Sequence, residues 1–368
     1  MSALLVSIFF ISAGIQILYS VCLELPTSLS KSKTEVNDHP LSVILCARNE
    51  EENLLHNLEL VLCQDHPNYE VIVVDDASTD GSIHLLRAFQ KNYPHLRVVT
   101  VLENERYILS KKYALTLGIK AARHERLVLT DADCRPLSNQ WLRNMASYYV
   151  KGKNMVLGFG GYKRDRGVLN ALIRLDTAQI ALNYMGMARI GMPYMGVGRN
   201  LSYHKDLFFE NKGFGAHQHL RSGDDDLFVS AVAKKGRVNI GLDLSASTQS
   251  EAKKSLREWI LQKSRHLTTA SEYNLRAKSF LALLHGSRYV FHMSFLLLLL
   301  LGSHWWLFVG VYVSWWILHG TALYLFGKRM KDNDLFLFSL VGEYLLLLIY
   351  PYFAWSSLGY KNFVWKNQ

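Results

Sequence analysis

Val73-Val74-Asp75-Asp76-Ala77-Ser78-Thr79-Asp80-Gly81 decides how the chain is read. An apolar run that ends in two acids and then small, turn-forming residues marks the carboxyl end of a buried strand entering a helix. Upstream, Leu41–Ala47 is a short apolar run with β character, and Glu51–Leu62 has helical spacing. Residues 70–75 form a second strand, Ser82–Asn92 a second helix and 96–102 a third strand. Residues 111–123 then read as a helix and 126–131 as a strand. This alternation predicts an α/β domain with a parallel sheet and covering helices. Ligands of such sheets sit beyond the carboxyl ends of the strands. Asp75, Asp76, Asp131 and Asp133 all fall there.

The residue types at those ends suggest a chemistry. In an extended backbone the side chains of Asp131 and Asp133 point to the same side, so both carboxylates face one spot. Two hard oxygen ligands suit Mg²⁺ or Mn²⁺, with positions left for phosphate oxygens. Asp75 and Asp76 suit a base imide or a ribose hydroxyl, while Asp80 or Thr79 reads as the cap of the next helix. Asp224, Asp225 and Asp226 repel one another ahead of the apolar run 227–232. Such crowding raises a carboxyl pKa and suits a general base. The same acids also suit a helix start, and both roles can hold together. Gln262, Arg265 and His266 share one helical face. There Arg265 can clamp a diphosphate and His266 can contact a sugar.

The apolar residues of this 368-residue chain pile up at its two ends. Residues 3–25 carry no charge before Glu24 and are long enough to cross a bilayer. No Lys or Arg precedes them and no small-x-small site closes them, so an uncleaved anchor fits better than a signal peptide. The C-terminal quarter divides into 287–302, 305–326 and 335–355; the first is short and reads as a span or a tilted, interfacial helix. Trp305, Trp306, Trp315, Trp316 and Trp355 suit an aromatic belt. Lys31, Lys33, Lys328, Arg329 and Lys331 flank the spans and point to the cytoplasmic side. Four spans would then leave both termini outside, against which Lys361 and Lys366 argue mildly.

The expected organisation is an anchor (1–25), a linker (26–40), a cytoplasmic catalytic domain (41–278) and a membrane region of two or three helices with a short tail (279–368). Residues 171–198 read as an amphipathic helix against the membrane or beside the acceptor site. The formal charge of +10 fits an anionic membrane surface and diphosphate ligands; no basic motif points to nucleic acid. Cys22, Cys46, Cys63 and Cys134 are scattered and read as free thiols in a reducing compartment.

Several short motifs occur in a telling order: Cys46-Ala47-Arg48-Asn49-Glu50-Glu51, Val74-Asp75-Asp76-Ala77-Ser78, Ser110-Lys111-Lys112-Tyr113-Ala114-Leu115, Asp131-Ala132-Asp133, Gly198-Arg199-Asn200-Leu201, Gly223-Asp224-Asp225-Asp226 and Gln262-Lys263-Ser264-Arg265-His266. Through 43–266 the chain resembles the family 2 glycosyltransferases with a GT-A fold. The resemblance implies a mixed, mainly parallel sheet and inverting transfer of a sugar from a nucleotide diphosphate, a UDP-sugar being the expected donor. It also implies that Ala47, Glu50, Asp75, Asp76 and Lys111 surround the nucleotide and that Asp131 and Asp133 hold the diphosphate through Mg²⁺ or Mn²⁺. Arg265 would steady the leaving group, with Gln262 and His266 beside it toward the acceptor.

Family members use the second acid of the pair as base; downstream spacing points to Asp225, with Asp226 one register away. Two residues depart from the family pattern. His266 replaces the usual Trp, and Ser110 stands where Gly is usual. A smaller, more polar residue that can carry charge near neutral pH, together with few spans, favours one transfer to a lipid or lipid-linked acceptor. A processive polysaccharide synthase is the runner-up, and a non-catalytic nucleotide-binding membrane protein is third. The expected location is the cell (inner) membrane, multi-pass, with the catalytic domain cytoplasmic.

Overall fold

The computed structural model describes residues 3–31, 34–35, 38–101, 111–218, 220, 222–234, 236–301 and 304–359. Lys33, Ser110, Lys361 and Lys366 lie outside the described residues. The chain opens with α1 (Ala3–Tyr19) and α2 (Leu25–Leu29), joined through a π-helical turn, Ser20–Glu24. Pro26 does not stop the rod, because it stands in the first turn of α2, where a missing N–H is tolerated.

The parallel half of the main sheet comes next. It comprises β1 (Leu41–Ala47), β2 (Tyr69–Asp76), β3 (Leu96–Val101) and β4 (Arg126–Leu129), with α3 (Glu51–Leu62), α4 (Ser82–Asn92) and α5 (Lys111–Ala121) in the connections. β1 is buried along its whole length, which is why it reads as an unbroken apolar run. α5 lies close on β1 and β2 because residue 118 is Gly; a Cβ there would stand 2.7 Å from Ile44 Cγ2. β4 stops at Leu129, two residues short of the expected end, where the Thr130 hydroxyl bonds the Arg199 carbonyl at 3.0 Å.

Beyond β4 the chain adds β5 (Cys134–Pro136), α6 (Trp141–Ser147), β6 (Met155–Gly158), β7 (Gly160–Tyr162) and α7 (Val168–Arg189). β8 (Leu201–His204), α8 (Lys205–Glu210), α9 (Asp226–Val232), β9 (Val238–Gly241) and β10 (Thr248–Ser250) complete the α/β part. The seven-stranded sheet has the order β3-β2-β1-β4-β8-β6-β9, with β8 antiparallel to both neighbours. A smaller sheet, β5-β10-β7, stands beside it. The sheet is therefore mixed and mainly parallel, as expected.

α10 (Leu256–Leu267) leads to three long apolar helices: α11 (Leu275–Leu300), α12 (Trp305–Met330) and α13 (Leu335–Leu358). With Ala3–Leu29 they make four helices long and apolar enough to cross a membrane among the described residues. The first of the C-terminal three is thus a full 26-residue helix, not the short segment 287–302. Arg276, Lys278 and His285 in its first half hid its length; Arg288, further along, is buried against Glu24 at 3.4 Å and Glu343 at 3.7 Å.

Residues 171–198 also differ from expectation. α7 has no solvent-facing stripe; it is buried around most of its circumference, between the α/β part and α2, α12 and α13. Its Arg174, almost fully buried, reaches Asp332 at 2.7 Å and Asp334 at 2.5 Å in the α12–α13 connection. Arg329 at the end of α12 bonds the Ser30 carbonyl at 2.7 Å and lies 3.4 Å from Asp243. Trp259 of α10 meets Phe353 of α13 edge-on at 5.0 Å. Membrane helices and α/β part therefore form one packed body.

Candidate active site

β1, β2 and β4 run parallel, so their carboxyl ends share one edge of the sheet. Asp75 and Asp76 close β2, and Ala47 pairs with Asp75 across the β1–β2 ladder. The two turns after β1 and β2 are fastened to each other. Asn49 Oδ1 accepts from Thr79 N at 2.8 Å, and Glu51 Oε2 accepts from Gly81 N at 3.0 Å. Asp80 accepts from Ser82 N and from Glu51 N, so it serves the starts of both helices. Asn49 and Ala77 take positive φ, of 53° and 52°, to make these turns. Glu50 accepts from Asn53 at 2.5 Å, and its N–H bonds Ser82 Oγ.

Inside the turns lies an unsatisfied polar pocket. Among the described residues, Asp75 Oδ1, both carboxylate oxygens of Asp76, and Arg48 Nε and Nη1 are buried without a hydrogen-bond partner. Arg48 stands 3.8 Å from Asp76, too far for a bond. Burial and the Asp75 charge push the Asp76 carboxyl up to about 6 against the pull of Arg48. Unpaired buried groups cost about 1–3 kcal/mol each, so this pocket is built for a polar ligand. Arg48 was not singled out in the sequence; only its place in the motif beside Ala47 hinted at it.

Asp131-Ala132-Asp133 lies in a turn and not in the extended backbone assumed above; Cys134 N–H closes it onto the Asp131 carbonyl at 3.0 Å. The turn still brings side-chain atoms of Asp131, Asp133 and Cys134 within 4.8 Å of one another. Burial and the Asp133 charge hold the Cys134 thiol well above its ordinary pKa, and it donates to Asp133 at 3.4 Å. Two carboxylates remain, which fit a hard divalent cation such as Mg²⁺ or Mn²⁺. Asp133 is open to solvent at the cleft mouth, yet crowding by protein and the Asp131 charge still raise its carboxyl. A bound cation would oppose that rise.

Lys111, the first residue of α5, links two acid groups: its Nζ stands 2.8 Å from Asp131 and 2.9 Å from Asp224. Burial works against its charge, but Asp131, Asp224 and Asp225 outweigh this and hold its pKa well above that of a free lysine. It therefore lies between the two acid groups. The partner effect on Asp224 is reciprocal: burial raises that carboxyl, Lys111 foremost among opposing groups lowers it, and the net shift is downward.

The three consecutive acids point in three directions. Asp225 is the N-cap of α9; its Oδ1 accepts from Asp226 N and its Oδ2 from Gly198 N, both at 2.7 Å. Residue 198 must be small here, since a Cβ would press within 3.3 Å of that oxygen. Asp226 turns inward, accepting from Tyr273 at 2.8 Å and Thr269 at 2.5 Å. Burial and the charges of Asp224 and Asp226 push Asp225 up to about 7. Helix capping and a raised pKa thus coincide in one residue.

On α10, Gln262 donates to the Tyr162 hydroxyl at 3.0 Å. Arg199 stacks over the same Tyr162 ring at 4.4 Å and feels the charges of Asp133 and Asp131. Tyr162 was missed in the sequence and Arg199 was quoted only as part of its motif, because their contact joins two elements far apart in the chain. His266 is solvent-accessible, yet nearby protein and the cations Arg265, Lys263, Arg199 and Lys111 lower its pKa well below that of a free histidine. That direction favours the neutral ring.

The sheet order and the acids at its carboxyl edge define a GT-A-like α/β fold joined to membrane-type helices. Residues 42–200 match the family model "Glycosyl transferase family 2". Over 121 residues it is 34% identical to Glycosyltransferase AglE of Haloferax volcanii, a match covering 32% of this chain and 38% of AglE. Over 177 residues it is 28% identical to the dolichyl N-acetyl-alpha-D-glucosaminyl phosphate 3-beta-D-2,3-diacetamido-2,3-dideoxy-beta-D-glucuronosyltransferase of Methanococcus voltae, covering 46% of this chain and 50% of that protein. The chain thus spans half or less of these curated relatives. The mannosyltransferase PcManGT from Pyrobaculum calidifontis, solved with GDP-Man and Mn²⁺, shares the fold. Its TM-score is 0.59 at 18% identity, over 94% of this chain and 98% of that one.

The raised Asp225 carboxyl has a measurable consequence. An ordinary Asp releases its proton near 3.8, whereas Asp225 keeps it up to about 7. Between these values the folded protein binds more protons than the unfolded chain, so stability falls as pH rises through the window. Without divalent cation, Asp225→Asn should therefore gain in thermal midpoint relative to wild type between pH 5 and pH 8. Parallel pH curves for the two proteins would show that the carboxyl titrates normally.

Proposed function

We propose that the chain moves a sugar from a nucleotide-diphosphate sugar, a UDP-sugar first among candidates, to a membrane-associated lipid or lipid-linked acceptor, with inversion. The observation that carries this reading is the juxtaposition, across Lys111, of the Asp131 pair with the Asp224–Asp226 group. One set suits a diphosphate and the other suits an attacking hydroxyl.

Asp75, Asp76 and Arg48 bind the nucleoside, satisfying the buried atoms they leave unpaired. Asp131 and Asp133 would hold Mg²⁺ or Mn²⁺, which would supply positive charge against the charge developing on the leaving diphosphate. Arg265 and Lys111 supply further positive charge at that end. Asp225 removes the acceptor proton: its pKa near neutrality suits the task, and two backbone N–H groups fix its orientation. Asp226 is held back by Tyr273 and Thr269, which favours Asp225 as the base. Direct attack from the face opposite the leaving group needs no covalent sugar–enzyme intermediate. A neutral His266 in place of a stacking Trp gives little grip on a growing polymer, which favours single transfer over processive synthesis.

Asp131→Ala or Asp133→Ala should abolish donor-dependent release of nucleotide diphosphate and weaken donor binding. Activity that persists in excess EDTA would remove the metal from the reading.

Asp225→Asn should leave donor affinity nearly intact and lower turnover by roughly 10²–10⁴-fold, the range of a general base. If Asp226→Asn gives that loss and Asp225→Asn does not, the base lies one residue downstream.

We further propose that the α/β part faces the cytoplasm, beside the basic residues Lys31, Lys328, Arg329 and Lys331. The exposed Asn333, changed to Cys in a chain lacking Cys22 and Cys63, should resist a membrane-impermeant thiol reagent in intact cells. Rapid labelling would invert the orientation.

A further inference from the structure

Where α7 meets α11 and α13, the protein encloses a cavity of about 60 Å³ lined by Gln179, His285, Arg288, Glu343 and Tyr350, with Leu347 on its apolar wall. Two contacts bridge α11 and α13 beside it. The Tyr289 hydroxyl donates to the Leu347 carbonyl, and the His285 ring meets Tyr350 at 5.7 Å. Ionisable groups among apolar helices are costly, and they commonly mark function.

The charges here cancel. Arg288 lies between Glu24 and Glu343, at 3.4 Å and 3.7 Å. His319 also lies between them, with Nδ1 2.8 Å from Glu24 and Nε2 3.0 Å from Glu343. An imidazole facing two carboxylates requires a proton on each side, carried either by the ring twice or by one carboxyl. Under either arrangement Arg288, His319, Glu24 and Glu343 sum to zero. Gln179 is bound into the same network, donating to Glu343 and accepting from Arg288 at 3.2 Å. His285 has no hydrogen-bond partner among the described residues, so its ring nitrogens remain for a ligand. The cavity offers hydrogen bonds without net charge, a poor seat for a phosphate.

A polar line connects this cavity to the reaction cleft. The Tyr350 hydroxyl donates to Asp176, and Asp176 pairs with Lys263 on α10. Lys263 is the neighbour of Gln262 and lies two residues before Arg265. On the outer faces of the same helices, Leu283, Val290, Leu348 and Tyr352 are exposed. Only an amphipathic molecule can cover those faces and also hydrogen-bond inside.

We propose that this cavity holds the uncharged linkage (hydroxyl, ester or amide) of an amphipathic acceptor lipid, its chains lying along α11 and α13. The inference rests on the lipid-acceptor reading above and narrows it. It selects a glycerolipid- or ceramide-type acceptor over a polyprenyl phosphate, whose chain has no hydrogen-bonding atoms beside its phosphate.

The test uses the full chain in lipid nanodiscs, titrated with dioleoylglycerol, ceramide or undecaprenyl phosphate and read by native mass spectrometry. Wild type should bind dioleoylglycerol or ceramide at least about tenfold more tightly than undecaprenyl phosphate, a clear margin in free energy. Leu347→Trp, which fills the cavity, should abolish that preference. His285→Phe keeps the ring contact with Tyr350 and should weaken binding about fivefold, the worth of one net hydrogen bond. Donor hydrolysis without acceptor should be unchanged in both variants, which also reports that they fold. Equal or tighter binding of undecaprenyl phosphate, or wild-type affinity in His285→Phe, would overturn the proposal. Wild-type protein that hydrolyses no sugar donor would instead count against the transferase reading, leaving the lipid result to stand on its own.

Discussion

Everything at the carboxyl edge of the sheet depends on how seven aspartates are kept in one cleft. Asp76, Asp131 and Asp224 all act on the Cys46 thiol at the end of β1, which shows how closely the groups converge. Lys111 is placed to resolve part of the repulsion, since it contacts two of the three groups at once. Arg48 addresses the third group at longer range, and Arg199 adds to the balance around Asp133 and Asp131. The remainder is left unresolved: Asp76 and Asp225 hold protons unusually high, and Asp75, Asp76 and Arg48 keep unpaired buried atoms. A site that is electrostatically incomplete without its ligand gains the most from binding one.

This arrangement explains why the motifs stand where they do. The fastened turns after β1 and β2 rely on Asn49 reaching Thr79, so a short polar side chain is needed after Arg48. Gly198 lets the backbone approach Asp225 and Lys111 closely enough to donate a hydrogen bond. Asn200 is buried for a different reason. Its amide joins Trp141, the Phe159 carbonyl and the Ala246 carbonyl, tying the main sheet to the smaller one. Residues two apart in one motif therefore serve the acid group and the sheet architecture separately.

The fold was legible wherever local signals agree with tertiary ones. β1, α3 and α4 have the bounds expected from apolar runs and spacing, because burial in a parallel sheet leaves so plain a pattern. The acids were legible because carboxylates at strand ends are rare without a partner. α7 was not legible, since a helix buried on nearly all sides lacks the stripe that periodicity detects. α11 was cut short in the reading because Arg276, Lys278 and His285 interrupt the apolar run before Ser287; within the run, Arg288 is an interior residue held by its distant partners Glu24 and Glu343. The turn at Asp131-Ala132-Asp133 was invisible too, as its closure depends on one backbone bond to Cys134 N–H.

The same long-range contacts set the depth of the chemistry relative to the apolar helices. Asp226, next to the proposed base, is held by Tyr273, and the next residue, Asn274, caps α11. Thr269, just after α10, holds the same carboxylate. A shift of α11 along its axis would therefore pull directly on the acid group. Arg174 and Arg329 oppose such a shift from the other side, by anchoring the α12–α13 connection and the end of α12 to α7, Ser30 and Asp243. For a soluble acceptor this rigidity would serve no purpose. For an acceptor fixed at one depth in a bilayer, the distance from helix to carboxylate determines whether its hydroxyl arrives within proton-transfer reach, and here that distance is set by packed side chains.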